Sequence, residues 1–246
     1  MRLDRIYTAQ PLSAGARVEL EAGPWRHVTQ VLRLVAGDAL VLFNGDGYDY
    51  PARVAQAGGV DVAAPGPPEP PLPLAVTLAL GISKGERMDY ALQKAVELGV
   101  AALVPLFTAR TVVKLRDDRL DKRRDHWRGV VVAACEQSGR RRLPDLAIPQ
   151  RLSDWLGTLP ATDQPGHPRL LLHHRADLTP PDLPPPAAGG ALLLVGPEGG
   201  LAPGERDAAL AHGFTALRLG PRVLRAETAP LAALAALQTL WGDFRG

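Results

Sequence analysis

Alternating apolar and polar positions near the start of the chain predict short β-strands. Two extended runs, at residues 39–43 and 48–54, flank the turn sequence Asn44-Gly45-Asp46-Gly47, a pattern typical of a β-hairpin. Residues 17–20 form a further strand candidate, and residues 27–34 have the length of one or two helical turns. Several short strands in a small unit favour a β-barrel, an architecture that often binds oligonucleotides. The alternative is a barrel that only packs against its neighbour.

After residue 74 the pattern changes to apolar strands that alternate with helices. A buried-strand run at 75–80 is followed by helical periodicity over 86–98, which Gly99 ends. The same reasoning predicts strands at 101–107, 170–173, 191–195 and 216–219 and helices at 123–138, 203–212 and 230–241. This alternation is typical of a parallel α/β sheet covered on both faces. Ligands of such sheets bind outside the carboxyl ends of the strands.

A proline-rich stretch at residues 64–73 separates the two patterns, because proline this dense interrupts helices and internal strands. We therefore predict two domains, residues 1–66 and residues 74–246. A second proline cluster at 179–186 indicates a surface loop, to which we assign no chemistry.

Composition narrows the class of protein. The 246 residues are 46% hydrophobic and 22% charged, as in ordinary globular proteins. No apolar run has the roughly 20 residues that span a bilayer, and the first residues lack the apolar core of a secretory signal. Cys135 is the single cysteine, which excludes an internal disulfide and an all-cysteine metal site. We expect a cytoplasmic protein with no membrane partner.

The net charge of +2 is unevenly distributed. Residues 110–142 carry 11 basic and 5 acidic side chains, whereas the rest of the chain is slightly acidic. Concentrated arginine suits a polyanion, because each phosphate that it neutralises releases counterions. A solvated helix face with local ion pairs explains the same pattern equally well.

The sharpest motif is LLLVGPEGG at residues 192–200, where a buried strand ends in a glycine-rich turn before a helix. Glycines at such a turn let the backbone approach a ligand closely and expose its N–H groups. The spacing matches neither the dinucleotide pattern nor a P-loop, and Pro197 makes the turn rigid. The turn is thus a cofactor loop or a tight structural turn.

A second polar segment, LGPRVLRAETA at residues 219–229, follows the next predicted strand and leads into the last helix. It crowds Arg222, Arg225, Glu227 and Thr228 into otherwise apolar sequence. Thr228 as a helix N-cap and an ion pair of Arg225 with Glu227 are the structural interpretations. Two strand ends that each carry a glycine and polar residues favour a ligand site instead.

Together these motifs resemble the bacterial 16S ribosomal RNA uridine-N3 methyltransferases of the SPOUT superfamily. The resemblance covers almost the whole chain and includes HVTQVLRL at 27–34, QKAVELG at 93–99, RTVVK at 110–114 and EQSGR at 136–140. His27 lacks a second neighbouring histidine and Pro221 occupies a variable position, which are the departures. The resemblance implies an α/β protein: a small PUA-like β-barrel followed by a SPOUT domain with a C-terminal trefoil knot. Periodicity alone gives no sign of a knot.

The resemblance also implies the cofactor, S-adenosylmethionine, and a homodimer formed through the knotted domain. The implied cofactor slot is lined by Leu172, Gly196, Glu198, Gly199, Gly200, Leu219, Gly220, Leu224 and Thr228. Methylation at N3 requires proton removal and stabilisation of charge on the uracil oxygens, for which arginine is well suited. We assign this to Arg222 or Arg225, with Glu198 or Glu227 as acceptor or as the group that orients the arginine.

The expected partner is 16S ribosomal RNA within the small ribosomal subunit. The predicted phosphate contacts are Arg2, Arg5, Arg33, Lys84, Arg110, Lys114 and Arg140, the last with its two neighbouring arginines. Solvation alone is the competing interpretation for each, and Arg33 has a second one, bracing the barrel. Lys94 and Glu97 lie on a polar helix face that suits local ion pairs at least as well as RNA.

Three other groups have less definite roles. Glu136-Gln137-Ser138 closes a predicted helix and either orients an RNA-binding segment or meets a partner subunit. His173 and His174 end a strand without a third ligand at metal spacing, so we predict no metal site.

The rival functions are methylation of a ribose 2′-hydroxyl or of transfer RNA, and RNA binding without catalysis.

Overall fold

Two separate β-sheets organise the chain, and each is the centre of its own folding unit. The computed structural model describes residues 3–56, 58–112, 120–160, 167–187 and 189–245. The first unit comprises Met1–Pro71 with Val132–Leu143, and the second comprises Leu72–Val131 with Pro144–Gly246. The return of Val132–Leu143 to the first unit was not predicted from the sequence.

The first unit contains a five-stranded sheet in the order β1-β3-β4-β5-β2. Its strands are β1 (Arg5–Tyr7), β2 (Arg17–Val18), β3 (Ala39–Phe43), β4 (Tyr50–Val54) and β5 (Val60–Val62). β1 runs parallel to β3, and the other pairs are antiparallel. Alternate residues of β4 and β5 enter one apolar core together with Ile6 and Val28. The predicted hairpin of β3 and β4 is confirmed, with Gly45 and Gly47 at positive φ in its turn.

A short helical segment follows β2 in the first unit. Helix α1 (Ala22–Arg26) continues directly into a π-helical turn, His27–Val31, which buries Val28. The predicted helical turns at 27–34 are thus present, but they begin earlier and their second part is π-helical. Such turns are rare and frequently occur at functional sites.

The second unit is an α/β fold. Its strands are β6 (Ala75–Gly81), β7 (Ala102–Phe107), β8 (Asp145–Leu146), β9 (Gln150–Arg151), β10 (Arg169–Leu172), β11 (Gly190–Val195) and β12 (Phe214–Leu217). Its helices are α2 (Glu86–Glu97), α4 (Leu152–Thr158), α5 (Pro203–Ala211) and α6 (Thr228–Trp241), and α3 (Leu120–Ser138) begins in it. α4 was not predicted, and β12 begins two residues earlier than expected. One 3-10 turn, Pro180–Asp182, lies in the second proline cluster.

The strands of the second unit form a parallel sheet in the order β12-β10-β11-β6-β7-β8, and β9 also pairs with β7. Central strands are buried on both faces, as Leu78, Ala79 and Leu80 of β6 show. The predicted parallel α/β sheet is therefore confirmed. The order places β10 between β11 and β12, which follow each other along the chain, so the carboxyl ends of the three strands lie at one edge of the sheet. No helix of the described chain is long and apolar enough to cross a membrane. Threading of the C-terminal loops into a knot stays a prediction.

Candidate active site

A cavity of about 280 Å³ opens where β10, β11 and β12 end. Its walls come from the ends of these strands and the loops that follow them, together with one residue before α3, one on α5 and one on α6. The lining residues are Arg110, Leu171–His174, Val195–Leu201, Arg206, Leu217–Gly220, Arg222–Leu224, Ala226 and Ala229. This is the edge of a parallel sheet at which ligands are expected.

Most residues of the predicted cofactor slot meet in this cavity. Leu172, Gly196, Glu198, Gly199, Gly200, Leu219, Gly220 and Leu224 all line it. Thr228 does not: it is exposed at the first position of α6. Its interpretation as the N-cap is wrong, because Glu227 precedes the helix and no side chain caps it.

Glycines give the loop after β11 its tight path. A Cβ on Gly196 would lie 2.8 Å from the carbonyl carbon of Gly200 and 2.8 Å from the nitrogen of Leu201. A Cβ on Gly81, at the end of β6, would collide with the Pro197 ring. Gly200 has φ 66°, which favours glycine. The loop therefore folds back on itself, and its three glycines bring the backbone close to the cavity. Gly81 has a role here that the sequence did not reveal.

Arg110 lies across this loop. Its Nη1 donates to the carbonyl oxygen of Gly199 at 2.7 Å. Its aliphatic stem packs against Gly199, where a Cβ would lie 3.2 Å from the Arg110 Cβ. The residue predicted as a phosphate contact thus forms part of the cavity wall, and its guanidinium helps to hold the loop after β11 in place.

Glu198 is held by the segment that leads into α2. Its Oε1 accepts hydrogen bonds from the Lys84 backbone N–H at 3.2 Å and from Arg87 Nη1 at 3.3 Å. Partial burial opposes ionisation, but the bonds from its own backbone N–H, from Lys84 and from Arg87 outweigh it and lower the Glu198 pKa. Glu198 is therefore a carboxylate at neutral pH, an acceptor and an orienting group rather than a proton donor.

His173 and Arg206 form a pair on another wall of the cavity. Nη1 of Arg206 lies 2.9 Å from Nε2 of His173. Arginine can only donate, so Nε2 accepts and the proton of the neutral ring belongs on Nδ1. Burial, followed by the charges of Arg206 and nearby groups, lowers the His173 pKa. The sequence suggested only a metal-ligand role for His173 and gave no sign of Arg206.

The four predicted catalytic residues are distributed unevenly. Glu198 and Arg222 line the cavity, whereas Arg225 and Glu227 are not among its lining residues. The side chain of Arg225 is exposed, and its carbonyl accepts the N–H groups of Thr228 and Ala229 as α6 begins. Glu198 and Arg222 are thus the two that the fold brings together.

Arg5 is a structural residue with a buried side chain and not the phosphate contact that was predicted from the sequence. Its side chain is only 6% exposed and pairs with Asp49 at 2.7 Å. Nη1 donates to the Cys135 carbonyl at 2.6 Å, Nη2 donates to the Arg140 carbonyl at 2.9 Å, and the guanidinium lies over the Phe43 ring. These interactions commit its guanidinium to the interior of the first unit.

The other predicted phosphate contacts remain accessible to different degrees. Lys84 and Arg33 are exposed, and Arg33 has φ 57°, unusual for a residue with a side chain. Arg140 is half-buried. Arg2 and Lys114 lie outside the described residues. Lys94 pairs with Glu97 at 2.7 Å, which supports the local ion-pair interpretation of that helix face.

Within the described ranges, no three His, Cys, Asp or Glu side chains are grouped so as to hold a metal ion.

Comparison with known proteins gives the family. Residues 70–238 match the model of the RNA methyltransferase domain, and residues 26–62 match the RNA methyltransferase PUA domain. The ribosomal RNA small subunit methyltransferase E of Mycobacterium tuberculosis is 36% identical over 236 residues, which cover 92% of this chain and 87% of that protein. The same enzyme of Bacillus subtilis is 30% identical over 94% of this chain and 93% of its own length.

Solved structures agree with the sequence relatives. A Legionella pneumophila protein in complex with the bound cofactor SAM superposes with a TM-score of 0.92 at 38% identity and covers 99% of this chain and 100% of its own. The ribosomal RNA small subunit methyltransferase E of Neisseria gonorrhoeae, bound to S-adenosyl methionine, gives 0.89 at 37% identity with the same coverage. The predicted PUA-like domain, α/β methyltransferase domain and enzyme class are confirmed: the chain is an RNA methyltransferase of the ribosomal RNA small subunit methyltransferase E family.

Proposed function

We propose that this protein transfers a methyl group from S-adenosylmethionine to N3 of a uridine in 16S ribosomal RNA. The observation that carries the proposal is the cavity at the ends of β10, β11 and β12, which unites the GPEGG loop with the segment 219–229. The resemblance of both motifs to uridine-N3 methyltransferases supplies the reaction, and the small-subunit specificity in the relatives' name supports the RNA.

The cavity suits the proposed cofactor. Leu172, Leu219 and Leu224 provide aliphatic walls for the adenine. Gly196, Gly199 and Gly200 provide backbone hydrogen-bonding groups that no side chain of their own covers. The cofactor supplies an electrophilic methyl group. Two related structures that contain it support this assignment.

The chain's own residues then have three tasks at the uracil ring: to align it, to accept its N3 proton and to stabilise charge on its oxygens. Arg222 lines the cavity and is our first candidate for the uracil oxygens, with Arg225 as the second. Glu198, which is ionised and accepts a hydrogen bond from Arg87, orients the positively charged side chains of the site. Glu227 is the remaining candidate for the proton. His173 is unsuited to that step at Nε2, because Arg206 occupies the lone pair.

Substrate binding extends beyond the cavity. Five basic residues are proposed to contact RNA phosphates and so to position the substrate: Lys84 and Arg33, which are exposed, and Arg140, Arg2 and Lys114. A uridine in folded RNA has to leave its stack to reach a cavity of this kind. We further propose the assembled small subunit as substrate, a homodimer through a knotted C-terminal region, and a cytoplasmic location, where ribosomes are found.

The test is methyl transfer to small ribosomal subunits from a strain that lacks the enzyme, with labelled S-adenosylmethionine and nucleoside mass spectrometry. Label in 3-methyluridine at one position is the expected result. Label on a ribose or only on transfer RNA would overturn the target while leaving the cofactor site intact. Cofactor binding without transfer to any RNA would contradict the catalytic proposal.

A further inference from the structure

The first unit has an open cleft of about 400 Å³ that the proposed methyl transfer does not use. Leu32 from the segment after the π-helical turn and Ala133 from α3 give it apolar surface. Asp4, His27, Glu136 and Gln137 give it polar groups. Arg5 also lines the cleft, but Asp49 and two backbone carbonyls already accept hydrogen bonds from its guanidinium. An open cleft of this size that combines apolar surface with several polar groups has room for one small planar ligand.

Two carboxylates line this cleft, and Glu136 is the less exposed of the two, because Asp4 is exposed. Its Oε1 accepts the Tyr7 backbone N–H at 2.9 Å, and the side chain is half-buried. Burial raises the Glu136 pKa, although the Tyr7 N–H, His27 and Arg5 oppose that effect. A neutral glutamine would accept the Tyr7 N–H equally well without the desolvation cost of a charge. The hydrogen bond from the Tyr7 backbone therefore does not by itself account for a negatively charged side chain at position 136.

Backbone strain borders the same cleft. The N–H of Leu32 donates to the His27 carbonyl at 2.9 Å, and the N–H of Leu34 donates to the Val28 carbonyl at 3.0 Å. Between them Arg33 takes φ 57° and is exposed, and no other residue with a side chain in the described ranges has positive φ. Such conformations cost energy and concentrate at ligand-binding positions. This geometry sets an arginine beside the cleft's apolar wall.

We propose that the cleft binds one unpaired RNA nucleobase that carries an exocyclic amino group, with the amino group donating to Glu136. A carboxylate only accepts hydrogen bonds, so it favours the amino groups of cytosine, adenine or guanine. Uracil presents a single N–H between two carbonyl oxygens, which the carboxylate repels. Leu32 and Ala133 contact the face of the base, and Arg33 binds its phosphate. Single-stranded bases are commonly splayed out and read in this way.

The inference rests on the proposed function, because it requires an RNA substrate. The test uses the full chain and two fluorescent RNA nonamers, one of uridines only and one with a single central cytidine. Wild-type protein should bind the cytidine nonamer at least about fivefold more tightly, the discrimination of one specific base contact. Glu136→Gln should bind both nonamers equally, whereas Glu19→Gln, an exposed carboxylate of the same unit, should keep the preference.

A second variant tests the proposal independently in case Glu136→Gln does not fold. Ala133→Phe, at an exposed position of α3, should fill the cleft and abolish the preference with Glu136 intact. Equal binding of both nonamers by the wild type, or a preserved preference in both cleft variants, would overturn the inference. Methyl transfer to ribosomal subunits, measured on the same wild-type preparation, separates the two proposals. Transfer without base preference refutes the cleft alone, and base preference without transfer refutes the catalytic proposal alone.

Discussion

The guanidinium of Arg87 lies 3.3 Å from the carboxylate of Glu198, 111 residues further along the chain. The pair joins α2 to the loop after β11, and the Lys84 backbone N–H binds the same carboxylate oxygen. A helix without direct access to the cavity thereby orients an acidic group that lines it. This connection explains how the QKAVELG helix and the GPEGG loop, widely separated in sequence, act on one site.

Loss of the Glu198 charge should impair catalysis. We expect Glu198→Gln to lower kcat/KM for methyl transfer roughly 10- to 100-fold, because a hydrogen bond to a charged group contributes about 1.5–3 kcal/mol. Glu86→Gln changes an exposed acid at the start of α2 and should leave kcat/KM unchanged. Steady-state kinetics on ribosomal subunits measures both. Unaltered kinetics of Glu198→Gln would remove Glu198 from the site.

The tight loop should tolerate no side chain at Gly196. A Cβ there meets backbone atoms of Gly200 and Leu201 that have no freedom to move aside. Overpacking of this kind costs about 1–3 kcal/mol, so the Kd of Gly196→Ala for S-adenosylmethionine should rise roughly 5- to 100-fold. Gly204 in α5 has open space around its Cβ position, and Gly204→Ala is the matched control. Calorimetric titration distinguishes them; equal affinities would contradict the packing argument.

The buried arginine of the first unit should matter for stability rather than for RNA. Arg5→Ala leaves Asp49 and two backbone carbonyls short of a donor, and breaking such a pair costs about 3 kcal/mol or more. Arg17 forms an Arg–Asp pair in the same sheet, but its pair with Asp61 is exposed, so Arg17→Ala should change stability little. Urea unfolding measures both variants. A stable Arg5→Ala protein with weakened RNA binding would restore the phosphate-contact interpretation.

The Glu136 carboxyl should make stability depend on pH in a defined direction. Burial raises its folded pKa, so the folded state binds this proton more tightly than the unfolded state does. Its contribution is fully present below the ordinary carboxyl pKa of about 4.3 and is lost as pH rises through the raised folded pKa. Glu136→Gln lacks this loss and should gain stability over wild type with rising pH. Urea unfolding from acidic to neutral pH checks this, with Glu19→Gln as control; a constant difference would contradict it.

Local sequence patterns predicted much of this protein because they report local physics. Alternation and turn glycines located the β3–β4 hairpin, and helical spacing ended by Gly99 located α2 within one residue. The two loops that follow β11 and β12 were predicted to bind a ligand, because each follows a strand end and carries glycine. Eight of the nine predicted cofactor residues line the cavity. Calorimetric titration with S-adenosylmethionine tests whether they bind it.

Tertiary structure alone decided which side chains share an environment. Arg5 and Arg33 look alike in sequence, yet one is enclosed by Asp49 and two carbonyls and the other is exposed. Arg110 meets Gly199, His173 meets Arg206, and Gly81 makes room for Pro197, all across long stretches of chain. Periodicity specifies strands and helices but not the order β12-β10-β11-β6 in which strands pair. Burial, charge pairing and the cavity itself follow from that order, because they depend on distances between residues that the linear sequence does not contain.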